Sequence, residues 1–153
     1  MYAMVYRVLL MCLLCLVISV IDAKTYTIPD VLLIVLGIGL LVWDVVNADR
    51  HLIIMSAISA IALFGIFFVV FHFAGGLGFG DVKFTAVIGY ALGFQKAVLA
   101  CLLASFAGVL FFLVVFMIKK HSKIEMHSKK IPFAPFLSLG LCSVSSAQVL
   151  GVL

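Results

Sequence analysis

The sequence is poor in charged side chains. Of its 153 residues only 10% are Asp, Glu, Lys or Arg, whereas 67% are hydrophobic. A water-soluble domain needs more polar surface than such a chain can supply. The composition therefore excludes a large soluble domain, and it indicates an integral membrane protein whose partner is the lipid bilayer.

The sequence also has few motifs that are typical of metal-binding or nucleic-acid-binding proteins. The four cysteines lie inside apolar runs, which favours neither a disulfide framework nor a zinc site. Cys12-x-x-Cys15 has the spacing of a redox motif, but its Leu-rich flanks favour ordinary apolar packing. No basic stripe is interleaved with exposed aromatic residues, so we expect no nucleic-acid binding. We also expect no metal and no cofactor.

The apolar runs leave room for six membrane spans, since a helical crossing needs about 20 apolar residues. The sequence thus predicts an all-α polytopic membrane protein, with residues 1–153 forming one domain of six transmembrane helices and short loops. The N-terminal run is predicted to be the first span, because Ile21-Asp22-Ala23 is a poor signal-peptide cleavage site. The predicted spans cover residues 4–21, 29–46, 52–73, 81–94, 97–118 and 132–153.

Prolines, glycines and polar residues mark the boundaries between these spans. Pro29 and Pro132 suit the first turn of a helix. Residues 74–80 contain four glycines, which disfavour a regular helix there. Gln95 and Lys96 are predicted to form a tight turn between the fourth and fifth spans.

Small residues recur at helical spacing in the fourth and fifth spans. Gly89 and Gly93 lie four residues apart, as do Ala104 and Gly108. This spacing places each pair on one face of a helix, where small residues let a neighbouring helix approach closely. We expect both pairs to be packing positions.

Lysine and arginine are unevenly distributed between the two sides of the membrane. When alternate loops are assigned to one face, seven of the ten cations lie on one side and three on the other. Because cytoplasmic loops carry the excess of positive charge, the seven-lysine side is predicted to be cytoplasmic. Both termini then lie outside the cytoplasm, whereas Asp22 and residues 74–80 lie on the cytoplasmic side. The seven are Lys24, Lys83 and five lysines of residues 119–130, and the three are Arg7, Arg50 and Lys96.

The six carboxylates differ in their positions. Asp44 and Asp49 flank a polar turn on the non-cytoplasmic side and are expected to be solvated loop charges. Glu125 lies among lysines and is expected to be a local counter-charge. Asp30 follows Pro29 and is placed to favour a helix N-terminus.

Asp22 and Asp81 each lie where an apolar span meets the cytoplasmic interface, where desolvating a carboxylate is costly. If they face each other, one group keeps its proton, because like charges in one site suppress the second ionisation. Such a pair can activate water with one carboxyl group and donate a proton with the other, as peptide hydrolysis requires. The residues alone leave open the alternative of two isolated interfacial aspartates.

The residues around Asp81 favour a peptide substrate. Gly78 and Gly80 have no side chains, so this backbone can approach an extended substrate strand closely. Lys83 follows two residues after Asp81. We expect it either to adjust the aspartate pair or contact the substrate backbone, or else to extend toward water as an interfacial lysine does.

Three segments resemble motifs of a known family. Gly78-Phe-Gly80-Asp81-Val-Lys83 matches the Gly-x-Gly-Asp signature of membrane aspartic proteases, and its valine and lysine are similar to those of the prepilin leader peptidases. Ile18-Ser-Val-Ile-Asp22, followed by Ile28-Pro29-Asp30, resembles that family's first aspartate motif. Ile131-Pro-Phe-Ala-Pro-Phe-Leu-Ser-Leu-Gly140 resembles its last-helix motif.

The resemblance implies an aspartic endopeptidase of the bacterial cytoplasmic membrane. Such an enzyme removes the short, positively charged leader of type IV prepilins or of pilin-like precursors, namely pseudopilins and tight-adherence pilins. It cuts on the cytoplasmic side, after a glycine. The resemblance implies Asp22 and Asp81 as the catalytic pair. The implied substrate-binding or supporting residues are Gly78, Gly80, Lys83, Pro29 and Asp30.

A second activity of the family is not expected here. Many bacterial members also methylate the new pilin N-terminus, and they carry a cytoplasmic insertion with two Cys-x-x-Cys pairs. In this sequence Asp22 follows a single span and those pairs are missing. The resemblance is therefore to the peptidase-only form, which requires neither S-adenosylmethionine nor zinc.

Other membrane proteins fit the sequence less well. It contains no His-Glu-x-x-His and no Gly-x-Ser-x-Gly motif. The alternative is a small transporter or assembly subunit that uses its acids to bind a proton or cation. A transporter would place such acids nearer the middle of the membrane than Asp22 and Asp81. The sequence makes no prediction of the oligomeric state.

Overall fold

The fold consists of α-helices. The computed structural model describes residues 2–47, 50–74, 78–120 and 133–151, and within these ranges it contains six helices and no strand. The all-α prediction and the predicted number of helices are confirmed. The helices are α1 (Tyr2–Thr25), α2 (Asp30–Asn47), α3 (Arg50–Ala74), α4 (Phe79–Leu92), α5 (Phe94–Lys120) and α6 (Ala134–Val149).

Four helices are long and apolar enough to cross a bilayer. Their spanning segments are Val5–Thr25, Asp30–Asn47, Arg50–Phe73 and Phe94–Met117. Helices α4 and α6 have 14 and 16 residues, so they are about 21 and 24 Å long. Both are shorter than the bilayer core of about 30 Å, and they pack against longer helices, α4 on α3 and α6 on α1 and α5. The protein is a multi-pass membrane protein.

The outside of the bundle is as apolar as its inside. Leu13 and Leu16 of α1 are 62% and 61% exposed, whereas Ile18 of the same helix is fully buried. Phe84 of α4 is also fully buried. A continuous apolar surface of this kind indicates contact with lipid rather than with water.

Asp44 is not the solvated loop charge that the sequence predicted, and that prediction is wrong. The residue is only 5% exposed and lies on the buried face of α2 with Leu36 and Leu40. Its Oδ2 accepts a hydrogen bond from Arg7 Nη2 at 3.1 Å, and the two side chains form an ion pair. The position of Asp44 is set by its helical spacing from Leu36 and Leu40 rather than by the polar turn that follows.

The turn between α4 and α5 lies at Gly93, so the prediction of a turn at Gln95 and Lys96 is wrong. Gly93 has φ 75° and ψ 166°, a conformation that glycine adopts without steric cost. Gln95 and Lys96 instead belong to the first turn of α5. The predicted packing role of Gly93 is also wrong, since no described atom lies within 4 Å of where its Cβ would be.

The other predicted packing positions do bring helices together. A Cβ on Gly89 would lie 2.8 Å from the carbonyl oxygen of Ser59, so glycine permits this contact between α4 and α3. Ala104 is 1% exposed and lies opposite Gly140 of α6. A Cβ on Gly108 would meet an aromatic ring near the start of α6 at 3.5 Å. Packing at Gly89, Ala104 and Gly108 is confirmed.

Polar residues gather at the two ends of the bundle. Arg7, near the start of α1, contacts Asp44 near the end of α2 and donates to the Ala91 carbonyl oxygen near the end of α4, at 3.5 Å. We call this region the Arg7 end. Asp22 lies about 22 Å further along α1, and the residues around it form what we call the Asp22 end.

Some predicted features lie outside the described residues. They include Asp49, Glu125, Pro132, the first glycines of the glycine-rich segment and most of the lysine-rich loop. The residues that border these segments are described, so the Asp22 end can be analysed from the helix termini that form it.

Candidate active site

Asp22 lies in the last turn of α1 and is bound by the start of α6. It is 5% exposed, and its Oδ2 accepts a hydrogen bond from the Ala134 N–H at 3.2 Å. The first N–H groups of a helix have no partner within the helix, and the helix dipole favours negative charge there. Helix α1 ends soon after Asp22 because Tyr26 adopts the left-handed φ of 54°, with its N–H bonded to the Asp22 carbonyl oxygen at 2.8 Å.

Asp81 lies in the first turn of α4 and is bound by its own helix terminus. Its Oδ2 accepts a hydrogen bond from the Gly78 N–H at 3.2 Å. In return, the Asp81 N–H donates to the Gly78 carbonyl oxygen at 3.0 Å. The bond from the Gly78 N–H to the Asp81 carboxylate is one half of a capping box, and Gly78 has no side chain to supply the other half. This bond orients the carboxyl group at the helix entry. Asp81 is 8% exposed, so both aspartates are buried.

The two carboxyl groups lie at the same end of the bundle on separate helices. The charge of Asp22 acts on Asp81, and no hydrogen bond joins the two groups in the described structure. No described Cα atom of α1 lies within 8 Å of one of α4, so the backbones are kept apart. Each aspartate uses Oδ2 for its backbone hydrogen bond, and none of the described residues donates to either Oδ1, so that oxygen can accept from another group.

The two glycines before Asp81 allow close contacts within this chain. A Cβ on Gly78 would lie 3.0 Å from Asp81 Oδ2, and a Cβ on Gly80 would lie 3.0 Å from the Cβ of Ile28. Ile28 belongs to the segment between α1 and α2. The glycines therefore let the Asp81 carboxyl group fold back on its helix entry and let the segment after α1 pack on α4.

Lys83 forms an ion pair that the sequence did not predict. Its Nζ donates to Asp30 Oδ2 at 2.7 Å, and the two side chains are 35% and 58% exposed. Nζ also lies 4.9 Å from the centre of the Phe79 ring. Asp30 lies in the first turn of α2, as predicted, and Pro29 precedes it with a carbonyl oxygen that accepts from Leu32 at 3.1 Å.

All seven predicted site residues meet at the Asp22 end. They come from the end of α1, the start of α2 and the start of α4, and the start of α6 completes the group. The residues are Asp22, Pro29, Asp30, Gly78, Gly80, Asp81 and Lys83.

Two serines join α1 to α6 about one helical turn from Asp22. The sequence analysis did not identify them. Ser19 and Ser138 are hydrogen-bonded across 2.7 Å. Ser138 is 6% exposed. The available signal was spacing, because Ser19 precedes Asp22 by three residues and Ser138 follows Ala134 by four. Ser19 thus lies on the same face of α1 as Asp22, and Ser138 lies on the same face of α6 as Ala134.

The structure has cavities at both ends. One of about 300 Å³ lies between α2 and α4 at the Asp22 end. One of about 600 Å³ lies at the Arg7 end, and Arg7 and Asp44 line it. The smaller cavity is the one beside the predicted site, and its lining residues are Asp30, Leu33, Ile34, Lys83 and Val87.

Comparison with known proteins decides the family. A sequence model of the type IV leader peptidase family matches residues 9–113, which is more than half of the chain and includes Asp22 and Asp81. The chain belongs to the type IV leader peptidase family. The last-helix segment around Ala134 lies beyond the matched residues.

Individual relatives agree with this assignment. A prepilin leader peptidase/N-methyltransferase of Pectobacterium carotovorum subsp. carotovorum is 32% identical over 134 residues, which cover 82% of this chain and 45% of the relative. A protein of the same name from Aeromonas salmonicida (strain A449) is 36% identical over 64 residues, covering 42% of this chain and 21% of the relative. The chain spans less than half the length of these relatives. No solved structure matches the chain significantly.

Proposed function

We propose that this protein is a membrane aspartic endopeptidase that removes the leader from type IV prepilins or pilin-like precursors. Residues 1–153 would act as one membrane-embedded unit with Asp22 and Asp81 as its catalytic pair. One observation carries the proposal: two buried aspartates from different helices lie at one end of the bundle, and no residue in the described part of the chain donates a hydrogen bond to the Oδ1 of either. The names of the relatives support the class of substrate.

The proposed reaction needs one water and the two carboxyl groups. The ionised carboxyl group takes a proton from the water as its oxygen attacks the peptide carbonyl carbon. The protonated carboxyl group gives its proton to the carbonyl oxygen, which yields a gem-diol. In the second step the two groups exchange roles: one takes a proton from the gem-diol, the other protonates the leaving nitrogen, and the C–N bond breaks. Both carboxyl groups return to their starting states.

The backbone hydrogen bonds of the two carboxyl groups suit this reaction. A water and a peptide carbonyl must lie between the acid and the base, so a direct hydrogen bond between Asp22 and Asp81 would have to break before the reaction. The backbone hydrogen bonds to each Oδ2 orient the two groups and leave Oδ1 of each for the reacting atoms. This arrangement supports general acid–base chemistry.

The location of the proposed site follows from its lysines. Lys24 and Lys83 lie at the Asp22 end together with the borders of the lysine-rich loop, and excess lysine marks the cytoplasmic side. We therefore place the cut on the cytoplasmic face of the bacterial cytoplasmic membrane, after a glycine of the precursor. A basic leader of a prepilin, pseudopilin or tight-adherence pilin is held on that same side.

We expect no methyl transfer from these 153 residues. Their one Cys-x-x-Cys pair lies within α1, where Cys15 is fully buried. When the chain is expressed as the sole peptidase, mass spectrometry of the cut pilin should find a free N-terminus. A methylated N-terminus that depends on this chain would contradict this part of the proposal.

The test is co-expression with a tagged prepilin, with leader removal followed by gel mobility. We expect Asp22→Asn and Asp81→Asn each to abolish cleavage while the protein still accumulates in the membrane, because each substitution removes an ionisable group and keeps the side-chain size. Cleavage by either variant at the wild-type rate would rule out the aspartate pair.

Asp44→Asn is the matched control, since it replaces a third buried aspartate at the other end of the bundle. It leaves Arg7 without its ion-pair partner, so we expect less protein to accumulate. The protein that does accumulate should cleave the precursor at the wild-type rate per molecule. This control separates the loss of a buried carboxylate from the loss of a catalytic one.

A further inference from the structure

The lysines at the Asp22 end oppose the binding of a basic peptide, and one described carboxylate there can favour it. By sequence, seven lysines lie on this side, and they repel a positively charged leader. Among the described carboxylates at this end, Asp22 and Asp81 are buried. Asp30, whose side chain is 58% exposed, is the described carboxylate here that presents its charge to water.

Asp30 is also well placed relative to the aspartate pair. Its partner Lys83 lies on α4 two residues after Asp81, and the two side chains meet at 2.7 Å. Both line the cavity of about 300 Å³ between α2 and α4, which is otherwise apolar. A leader charge bound at Asp30 would therefore lie beside the helix turn that carries Asp81.

The Asp30–Lys83 ion pair is of a kind that a substrate can replace. Both side chains are partly exposed, and surface ion pairs contribute little to stability because water and salt screen them. Exchanging Lys83 for another cation at Asp30 keeps the number of ion pairs unchanged. Lys83 would remain near its position, since its Nζ also contacts the Phe79 ring.

We propose that Asp30 is the residue that binds the positive charge of the precursor's leader, in exchange for Lys83. The inference rests on the proposed function, because it takes the substrate to have a basic leader. Asp30 then acts on substrate binding and specificity and does not touch the reacting atoms. Lys83 competes with the leader for the same carboxylate, so the two residues of one ion pair have opposite effects on affinity for the precursor.

The test pairs enzyme variants with precursor variants in detergent-solubilised membranes. For the precursor with its basic leader, Asp30→Asn should raise KM about twofold to fivefold, the upper part of the range of a partly exposed charge pair, and leave kcat unchanged within error. For a precursor whose leader lysines and arginines are replaced by glutamine, wild type and Asp30→Asn should have equal KM. Asp30→Lys with a glutamate-bearing leader should recover part of the affinity that either change alone loses.

Two further variants separate binding from a structural role. Asp30→Glu keeps the charge and should keep the wild-type preference for the basic leader. Lys83→Gln removes the cation that competes with the leader for Asp30, so KM for the basic precursor should fall. An unchanged KM would contradict the proposed exchange. If Lys83→Gln raises KM as Asp30→Asn does, the ion pair acts by holding α2 against α4, and the inference is wrong.

Failure of the inference can be told from failure of the proposed function. If the wild type cleaves no precursor, the proposed function fails. If the wild type cleaves but Asp30→Asn retains the full preference for a basic over a neutral leader, only the role of Asp30 fails. If Asp30→Asn lost activity equally on the basic and the neutral precursor, Asp30 would have only a structural role, and the inference would also be wrong.

Discussion

The hydroxyl groups of Ser19 and Ser138 are hydrogen-bonded across 2.7 Å, and both lie within bonding distance of the Cys15 carbonyl oxygen, at 2.7 and 3.2 Å. This contact fixes α6 against α1 one helical turn away from the bond between Ala134 and Asp22. The orientation of the Asp22 carboxyl group therefore depends on polar contacts made inside the bundle.

Replacing Ser138 should impair cleavage more than folding. Ser138→Ala removes hydrogen bonds worth about 1 kcal/mol, so we expect the cleavage rate to fall about threefold to tenfold as the start of α6 loses its fixed position. Initial rates at equal amounts of membrane-inserted enzyme measure this. Ser143→Ala is the control, because the Ser143 hydroxyl donates only within α6, to Gly140. Equal effects of the two substitutions would show that the contact with α1 is unimportant.

A methyl group at Gly80 should disturb the site. The Cβ of Gly80→Ala would lie 3.0 Å from the Cβ of Ile28, and such overpacking costs about 1–3 kcal/mol. We expect α4 to shift away from the segment after α1, and cleavage to fall at least about tenfold.

Gly39→Ala is the matched control for Gly80→Ala. Gly39 lies within α2, and nothing in the described structure comes within 4 Å of the position of an added Cβ. Cleavage by this variant should equal that of the wild type. If both alanines were harmless, the close contact between Gly80 and Ile28 would not matter for function.

The ion pair at the Arg7 end should contribute to stability and not to catalysis. Arg7→Met leaves the buried Asp44 unpaired, which should cost about 3–5 kcal/mol and lower the Tm in detergent. Adding Asp44→Leu should recover most of this loss, because the double variant buries no unpaired charge. Cleavage per folded molecule should be that of the wild type in both variants. A double variant as unstable as Arg7→Met would contradict the ion-pair explanation.

The sequence predicted the six helices and allowed candidate site residues to be selected, because apolar runs and short motifs are local features. Asp22, Gly78, Gly80 and Asp81 could be selected from these motifs alone. The sequence-based prediction for Asp44 was wrong, because the ion pair between Asp44 and Arg7 depends on how α1 and α2 pack. The Lys83–Asp30 ion pair could not be predicted for the same reason, since its two residues are 53 positions apart in sequence and meet only when α2 packs on α4.

The turn at Gly93 was missed for a different reason. Gln95 and Lys96 are polar, and polarity predicts a turn at these residues, but the backbone turns where a residue tolerates positive φ. Both polar residues lie at the start of α5 and line the cavity at the Arg7 end. The turn is therefore located by the glycine and not by the polar residues.

The separation of α1 from α4 predicts a closing movement when substrate binds. No described Cα atoms of these helices lie within 8 Å, and both carboxyl groups must contact the same water and peptide during the proposed reaction. Spin labels at Lys24, in the last turn of α1, and at Phe73, which is 82% exposed near the end of α3, can measure this movement. Helix α3 packs closely on α4, so Phe73 follows α4.

The measurement uses Asp81→Asn to prevent cleavage, with the four native cysteines replaced. Adding precursor should shorten the distance between the labels by about 2 Å or more. A precursor without its leader and cleavage site is the control and should leave the distance unchanged. An unchanged distance with the full precursor, under conditions where it binds, would mean that the helices already have their catalytic positions, because the peptide then fits between the two carboxyl groups without any movement of α1 toward α4.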